Sequence, residues 1–160
     1  MRKLSIVFLV FLLLFTAIVF TACEDEVTTL KITYDPQGGT ITVNDVEITL
    51  GNKLEEPPAP TKTGHTFKGW YTDSALTQPF SFDTIPEYSF TLFAKWQKNI
   101  YTYTFYDEDG ISILSTGTAL YGDPIPAPNT PIKAPTAQNS YTFTGWDKPI
   151  PAAISENITF

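Results

Sequence analysis

Thr66-Phe67-Lys68-Gly69-Trp70 returns as Thr142-Phe143-Thr144-Gly145-Trp146, the same phrase with one substitution, so the chain must fold as two copies of one plan. The copies align elsewhere too. Tyr34 meets Phe105 and Gly51 meets Gly122 at an offset of 71 (105 − 34 and 122 − 51), whereas Trp70 meets Trp146 at 76. Five residues (76 − 71) therefore enter between Gly122 and Thr142, within the Pro-, Ala-, Asn- and Thr-rich stretch 126–140. A surface loop absorbs such length at small entropic cost. Thr91 then meets Thr159 at an offset of 68, so the second copy is eight residues shorter (76 − 68) after its Trp. The period exceeds the roughly 20 to 50 residues of solenoid units, and each copy reads as a small domain in a row. A catalytic site rarely needs tandem copies of a small module, whereas a spacer or multivalent binder gains reach or avidity from each one.

The N-terminus carries the pattern of export. Arg2 and Lys3 precede an apolar stretch, uninterrupted from Ile6 to Phe15 and continued to Phe20, which stops at Thr21-Ala22-Cys23. Those are the n-region, h-region and small-residue site of an export signal. The run lies near the short limit of about 20 apolar residues for a membrane span, which leaves an uncleaved anchor as the alternative. Cys23 is the sole cysteine and is followed by Glu24-Asp25-Glu26. The segment resembles the lipobox of bacterial lipoproteins, with Phe20 where Leu is usual. The resemblance implies that residues 1–22 are a lipoprotein signal peptide and that the Cys23 thiol receives a diacylglyceryl group. It further implies a chain held at the outer face of a bacterial membrane. Each buried CH₂ of such an anchor contributes about 0.8 kcal/mol.

Charge limits the partners. Setting Arg2 and Lys3 aside leaves 8 basic residues (10 − 2) against 17 acidic ones, a formal charge of −9 (8 − 17) from Cys23 onward. Such a surface repels nucleic acid and anionic headgroups alike, so no nucleic-acid partner is expected, and lipid rather than charge would hold the chain to a membrane. Thr, Tyr, Phe, Val and Ile are abundant and favour strands.

The alternation of Leu30, Ile32 and Tyr34 predicts a first strand, after an acidic tether over 23–29. Asp35-Pro36-Gln37-Gly38-Gly39 turns the chain. Thr40 to Leu50 returns as a second strand, which Asn44-Asp45 could bulge or break. Glu55 to Thr63, with three prolines, is extended loop. Thr66 to Tyr71 and Phe90 to Trp96 supply a third and a fourth strand, and Asp73 to Leu76 one helical turn capped by Asp73 or Ser74. The second copy replays this with strands at Tyr101–Phe105, Ile111–Leu120 and Tyr141–Trp146, a loop over Pro124–Pro135, and a last strand begun by Ile158–Phe160.

Tyr34-Asp35-Pro36-Gln37-Gly38-Gly39-Thr40, then residues Pro60 to Asp73, then Thr91-Leu92-Phe93-Ala94-Lys95-Trp96, resemble the Listeria-Bacteroides repeat, the B repeat of internalins. Residues 101–160 follow the pattern more loosely, through Tyr121-Gly122 and Tyr141 to Asp147. The resulting organisation is a first B-repeat-like module at 30–98 and a second, divergent and C-terminally truncated one at 99–160. The resemblance implies small β-grasp-like modules, mainly β with some α+β character, that serve bacterial surface proteins as spacers or interaction domains. It implies no catalytic residues and no cofactor.

In the shared phrase, alternation alone sends Phe67 and Gly69 to one face and Lys68 and Trp70 to the other, although a glycine repeated there also suits a bulge that aims the Trp. Phe67, Trp70, Phe80, Phe82, Leu92 and Trp96 are the expected core. The alternative is that Trp70, Tyr71 and Trp96 form an exposed platform for sugar rings, making the chain a glycan-binding surface lipoprotein. His65, the only histidine, reads as an exposed loop residue, and Asp107-Glu108-Asp109-Gly110 as a β-turn rather than a calcium loop. No enzyme is expected. The partner, whether protein or glycan, is not written in the sequence.

Overall fold

The computed structural model describes residues 26–160, so the leader and Cys23 lie outside the described residues. The described residues run through seven strands, β1 Thr29–Asp35, β2 Asp45–Thr49, β3 His65–Tyr71, β4 Phe90–Lys98, β5 Ile100–Tyr106, β6 Ile113–Leu120 and β7 Ile158–Thr159. They form two sheets, of order β2-β1-β4-β3 and β6-β5-β7. The fold is mainly β, with no helix among the described residues.

In the first sheet β1 and β2 form an antiparallel pair, with Leu30 opposite Ile48 and Ile32 opposite Val46. On its other side β1 runs parallel to β4, Ile32 facing Phe90 and Tyr34 facing Leu92. The period of two sends Leu30, Ile32 and Tyr34 to one side of β1, and Leu92 and Ala94 to one side of β4, and all five are buried. Ile32, Tyr34, Leu54, Trp70, Leu92 and Ala94 make the core, with Phe67, Phe80, Phe82, Phe90 and Trp96 packed around it. Fully burying an aliphatic side chain such as Ile32 or Leu92 is worth about 1.5–3 kcal/mol.

The second sheet repeats the central pairing. β5 pairs antiparallel with β6 and parallel with β7, where Tyr103 faces Ile158 and Thr104 faces Thr159. Phe105, Ile125, Ile154 and Phe160 form its core, flanked by Trp146, Tyr101 and Tyr103. Phe105 and Phe160 stack at 4.5 Å.

Several expectations change. β2 is shorter than Thr40–Leu50, because Thr40 instead exchanges backbone hydrogen bonds with Thr61 and the ladder opens only at Asp45. β1 begins at Thr29, and the Thr28 carbonyl accepts from Leu50 N–H, so regular structure starts inside the stretch read as tether. No helical turn forms at Asp73–Leu76. A single turn closes there, Leu76 N–H to Asp73 O, and Leu76 at φ 56° cannot continue a right-handed helix. Tyr141–Trp146 forms no strand, since β7 offers only Ile158 and Thr159 as ladder residues where β4 offers nine.

Leu92→Ala is expected to lower stability by about 2–5 kcal/mol, the range for an aliphatic side chain removed from a closed core. Urea unfolding followed through the first copy's tryptophans reads the loss, and an unchanged midpoint would contradict this placement of Leu92.

Candidate functional site

The repeated phrase is built on a β-bulge. From Phe67, opposite Trp96, to Trp70, opposite Ala94, β3 advances three residues while β4 advances two. The extra residue breaks the simple alternation, so Phe67 and Trp70 do not fall on opposite faces; their rings meet at 5.4 Å. Gly69 makes this possible at φ 106°, where a side chain would be strained although no neighbour stands in its way. Trp70 is thereby driven inward to 2% exposure, edge-on to Tyr34 at 4.9 Å. In the second copy Phe143 and Trp146 meet at 5.1 Å, Trp146 lies 4.7 Å from Phe105, and Gly145 has φ 138°. The packing motif recurs where the strand does not.

The three aromatics proposed as a sugar platform are placed differently from one another. Trp70 is buried, which corrects the idea of an exposed ring. Tyr71 is half-buried beneath the Lys95 ammonium, 4.5 Å from its ring, and Lys95 also donates to Leu76 O at 3.1 Å. Trp96 is half-buried beside Phe67 at 5.5 Å, and its indole N–H donates to Pro36 O at 2.8 Å. Gly39 lets that indole approach: a Cβ there would stand 2.6 Å from the Trp96 ring and 2.9 Å from Thr61 O. The Asp35–Gly39 turn, Gln37 at φ 50° and Gly38 at φ 77°, is thus shaped to receive Trp96.

Beside Trp70 opens a cleft of about 440 Å³ between the Lys53–Glu56 segment and Phe80, Phe82 and Asp83, with Gly69 on its wall. Lys53 and Asp83 pair at 2.9 Å on the rim, both largely exposed. Behind the cleft, Trp70 Nε1 and the Tyr34 hydroxyl are buried without hydrogen-bond partners among the described residues. Burial, aided by the Glu56 charge, pushes the Tyr34 phenol up to about 12.

Two carboxylates hold turns. Asp73 accepts from the amides of Gln78 and Thr77 and from the Thr77 hydroxyl, and these bonds, that from Gln78 foremost, hold it below its usual range. Asp109 accepts from the hydroxyl and amide of Ser112 and the amide of Ile111, which lower it likewise. Gly110 N–H closes the expected turn on Asp107 O at 2.9 Å. His65 is not simply an exposed loop residue: it opens β3, lies 2.8 Å from Thr63 O through Nδ1 and sets its ring edge-on to Tyr121 at 5.9 Å. Cys23 lies outside the described residues. Leu54 and Tyr121 escaped the sequence reading as packing residues, whereas the alternation of Leu30, Ile32 and Tyr34 had already placed Tyr34 on an apolar face.

Residues 31–95 match the model of the Listeria-Bacteroides repeat domain. The chain is 37% identical over 123 residues to a protein of Evansella cellulosilytica that bears the name of a membrane protein, a match covering 76% of this chain and 17% of that one. Internalin H of Listeria monocytogenes is 38% identical over 136 residues, covering 74% of this chain and 23% of its own. Both alignments are longer than the 65 residues (95 − 31 + 1) of the family match, so the likeness extends beyond that segment. The chain spans less than a quarter of the length of either relative.

Tyr34→Phe is expected to stabilise the chain at neutral pH by about 1 kcal/mol, because it removes a buried hydroxyl that has no partner. The folded phenol holds its proton more tightly than the unfolded one, so the wild type loses stability as pH rises from the ordinary value of 10.0 toward about 12. The variant should lack that alkaline loss. Denaturation curves at neutral and alkaline pH read both effects, and a variant less stable than wild type at neutral pH would contradict the orphaned hydroxyl.

Proposed function

Starting from the Listeria-Bacteroides repeat at residues 31–95, we propose that this chain is a lipid-anchored bacterial cell-surface protein whose two modules act as spacer or interaction domains. The observation that carries the anchor is the sole cysteine, Cys23, standing at the end of the apolar run and ahead of Glu24-Asp25-Glu26. A relative named as a membrane protein and an internalin support placement at the cell surface. The sheet order β2-β1-β4-β3 with a parallel central pair supports reading the module as β-grasp-like. Packing supports a structural rather than chemical use of the phrase: its Trp is buried in the core, and its Gly serves the bulge. The formal charge of −9 from Cys23 onward (8 − 17) keeps the modules off anionic headgroups, so the acyl chains alone hold the protein and the modules stand away from the bilayer. One diacylglyceryl group on Cys23, with two chains, gives firm attachment at about 0.8 kcal/mol for each buried CH₂.

Cys23→Ala should move the protein from the membrane pellet to the soluble fraction and abolish incorporation of labelled fatty acid. Retention in the pellet without label would replace the lipid anchor with an uncleaved apolar one.

A further inference from the structure

We infer that the first copy carries a socket and the second a plug, and that their contact locks the two repeats into one stiff unit. Only Asn99 separates β4 from β5. Its N–H donates to Gly64 O at 2.8 Å, and its side-chain carbonyl accepts from the Thr66 hydroxyl at 2.7 Å, both in the first copy. Its side-chain amide lies 3.4 Å from the Tyr101 hydroxyl in the second. Tyr121, in the turn after β6, lays its ring directly on Gly64, where any Cβ would overlap it, and meets the His65 ring edge-on at 5.9 Å. Gly64 adopts φ 69°, so the socket needs glycine for its backbone as well as for the space. Lys98 and Asp123 pair at 3.1 Å beside this contact, both substantially exposed. That pair adds little, and the ring on the glycine is the chief contact.

Comparing the copies separates what each module needs for itself from what the joint needs. Thr28 corresponds to Asn99 and Leu50 to Tyr121 at the constant offset (99 − 28 = 71, 121 − 50 = 71), and Leu50 N–H to Thr28 O reappears as Tyr121 N–H to Asn99 O. Asn52 corresponds to Asp123 (123 − 52 = 71), and Asn52 N–H to Thr49 O reappears as Asp123 N–H to Leu120 O. Gly51 and Gly122 share φ near 89° and 82°. The turn is therefore the same object twice, and its backbone does not require Tyr or Asp. The residues that make the joint are those that differ. Where Tyr121 seats on Gly64, Leu50 stands 47% exposed. Where Asp123 pairs with Lys98, the first copy has an uncharged Asn52. Counting back from Thr66 and Thr142, Gly64 corresponds to Ser140 (140 − 64 = 76), an exposed residue. Thr28 has no amide side chain to do what Asn99 does. Three differences at matched positions, together with Ser140 where the first copy has Gly64, fall on one contact, and each of the residues present there supplies what the contact uses.

The partner of this face is thus a repeat of the same kind, presented by its Tyr-Gly-Asp turn. Neighbour contacts of this sort add an interface term to the stability of each repeat and restrict their relative motion. The inference holds whether or not Cys23 carries lipid, because it concerns only residues 64–66, 98–101 and 121–123.

The test uses the whole chain in detergent and the first copy's own residues. Tyr121→Leu combined with Asp123→Asn installs what the matched turn already tolerates, and Gly64→Ala attacks the contact from the other side. Amide residual dipolar couplings are measured for each. In the wild type a single alignment tensor should fit the amides of both copies. In both variants each copy should still fit well by itself, reporting an intact module, while the two need separate tensors and the second shows reduced order. Two tensors in the wild type, or one tensor retained in both variants, would overturn the joint.

Discussion

Each module hangs on a parallel pairing between its first and last strands. Ile32 faces Phe90 across 58 residues of chain (90 − 32), and Tyr103 faces Ile158 across 55 (158 − 103). Parallel neighbours cannot be joined by a tight turn, so everything from Pro36 to Ser89 is the connection that brings β4 beside β1. The same two strands supply Ile32, Tyr34, Leu92 and Ala94, four of the six buried residues of the first core. β2 and β3 are then added outside, one on each flank. A loop so long must close before the central contacts repay it, and Pro57, Pro58 and Pro60 restrict the conformations open to that loop in the unfolded chain.

A second constraint is local and does not wait for the sheet. At Gly69 and Gly145 the backbone takes φ values that bring Phe67 to Trp70 and Phe143 to Trp146 at closely similar distances, 5.4 and 5.1 Å. In the first copy the neighbouring strand is present and the kink registers as a bulge. In the second copy residues 141–146 join no strand among the described residues, and Trp146 still finds Phe105 as Trp70 finds Tyr34. The phrase therefore encodes an aromatic hook more than a strand. Its repetition follows from what the core requires on that flank.

What could be read in the sequence divides along the same line. Periodic segments such as Leu30–Tyr34, Phe90–Trp96 and Tyr101–Phe105 were legible, because alternation and β-branched or aromatic content act locally. So were the Asp107–Gly110 turn and the possibility of a bulge at Gly69. The facing of Phe67 and Trp70 was not, since period-two counting fails wherever one residue is inserted into a ladder. Thr40 was drawn into a strand on composition, yet its bonds go to Thr61, a non-local choice that no window reveals. Burial of Leu54, just ahead of the proline-rich loop, escaped for the same reason. Trp96 was legible as a core candidate, but its bond to Pro36 O depends on Gly39 having no side chain, and only the folded turn shows that. Tyr121 was visible as a family-like Tyr-Gly pair; its place on Gly64 comes from two modules meeting, and neither module's pattern contains it.

The two modules are unequal, and this gives the joint its consequence. The first buries six core residues with nine more packed on them, whereas the second buries four, and Ile111, Ile113, Leu114 and Ile132 remain exposed. In an array whose stability is a sum of intrinsic and neighbour terms, the weaker unit gains proportionally more from a shared interface. The contact restricts both sides equally, so Gly64 and His65 are held by Tyr121 as much as Tyr121 is held by them. Asn99 leaves no linker in which a flexible chain could absorb rotation, and its bonds reach residues of both copies. The stiffness of the pair is then set less by the length of each module than by whether the turn of one repeat finds glycine on the one before it.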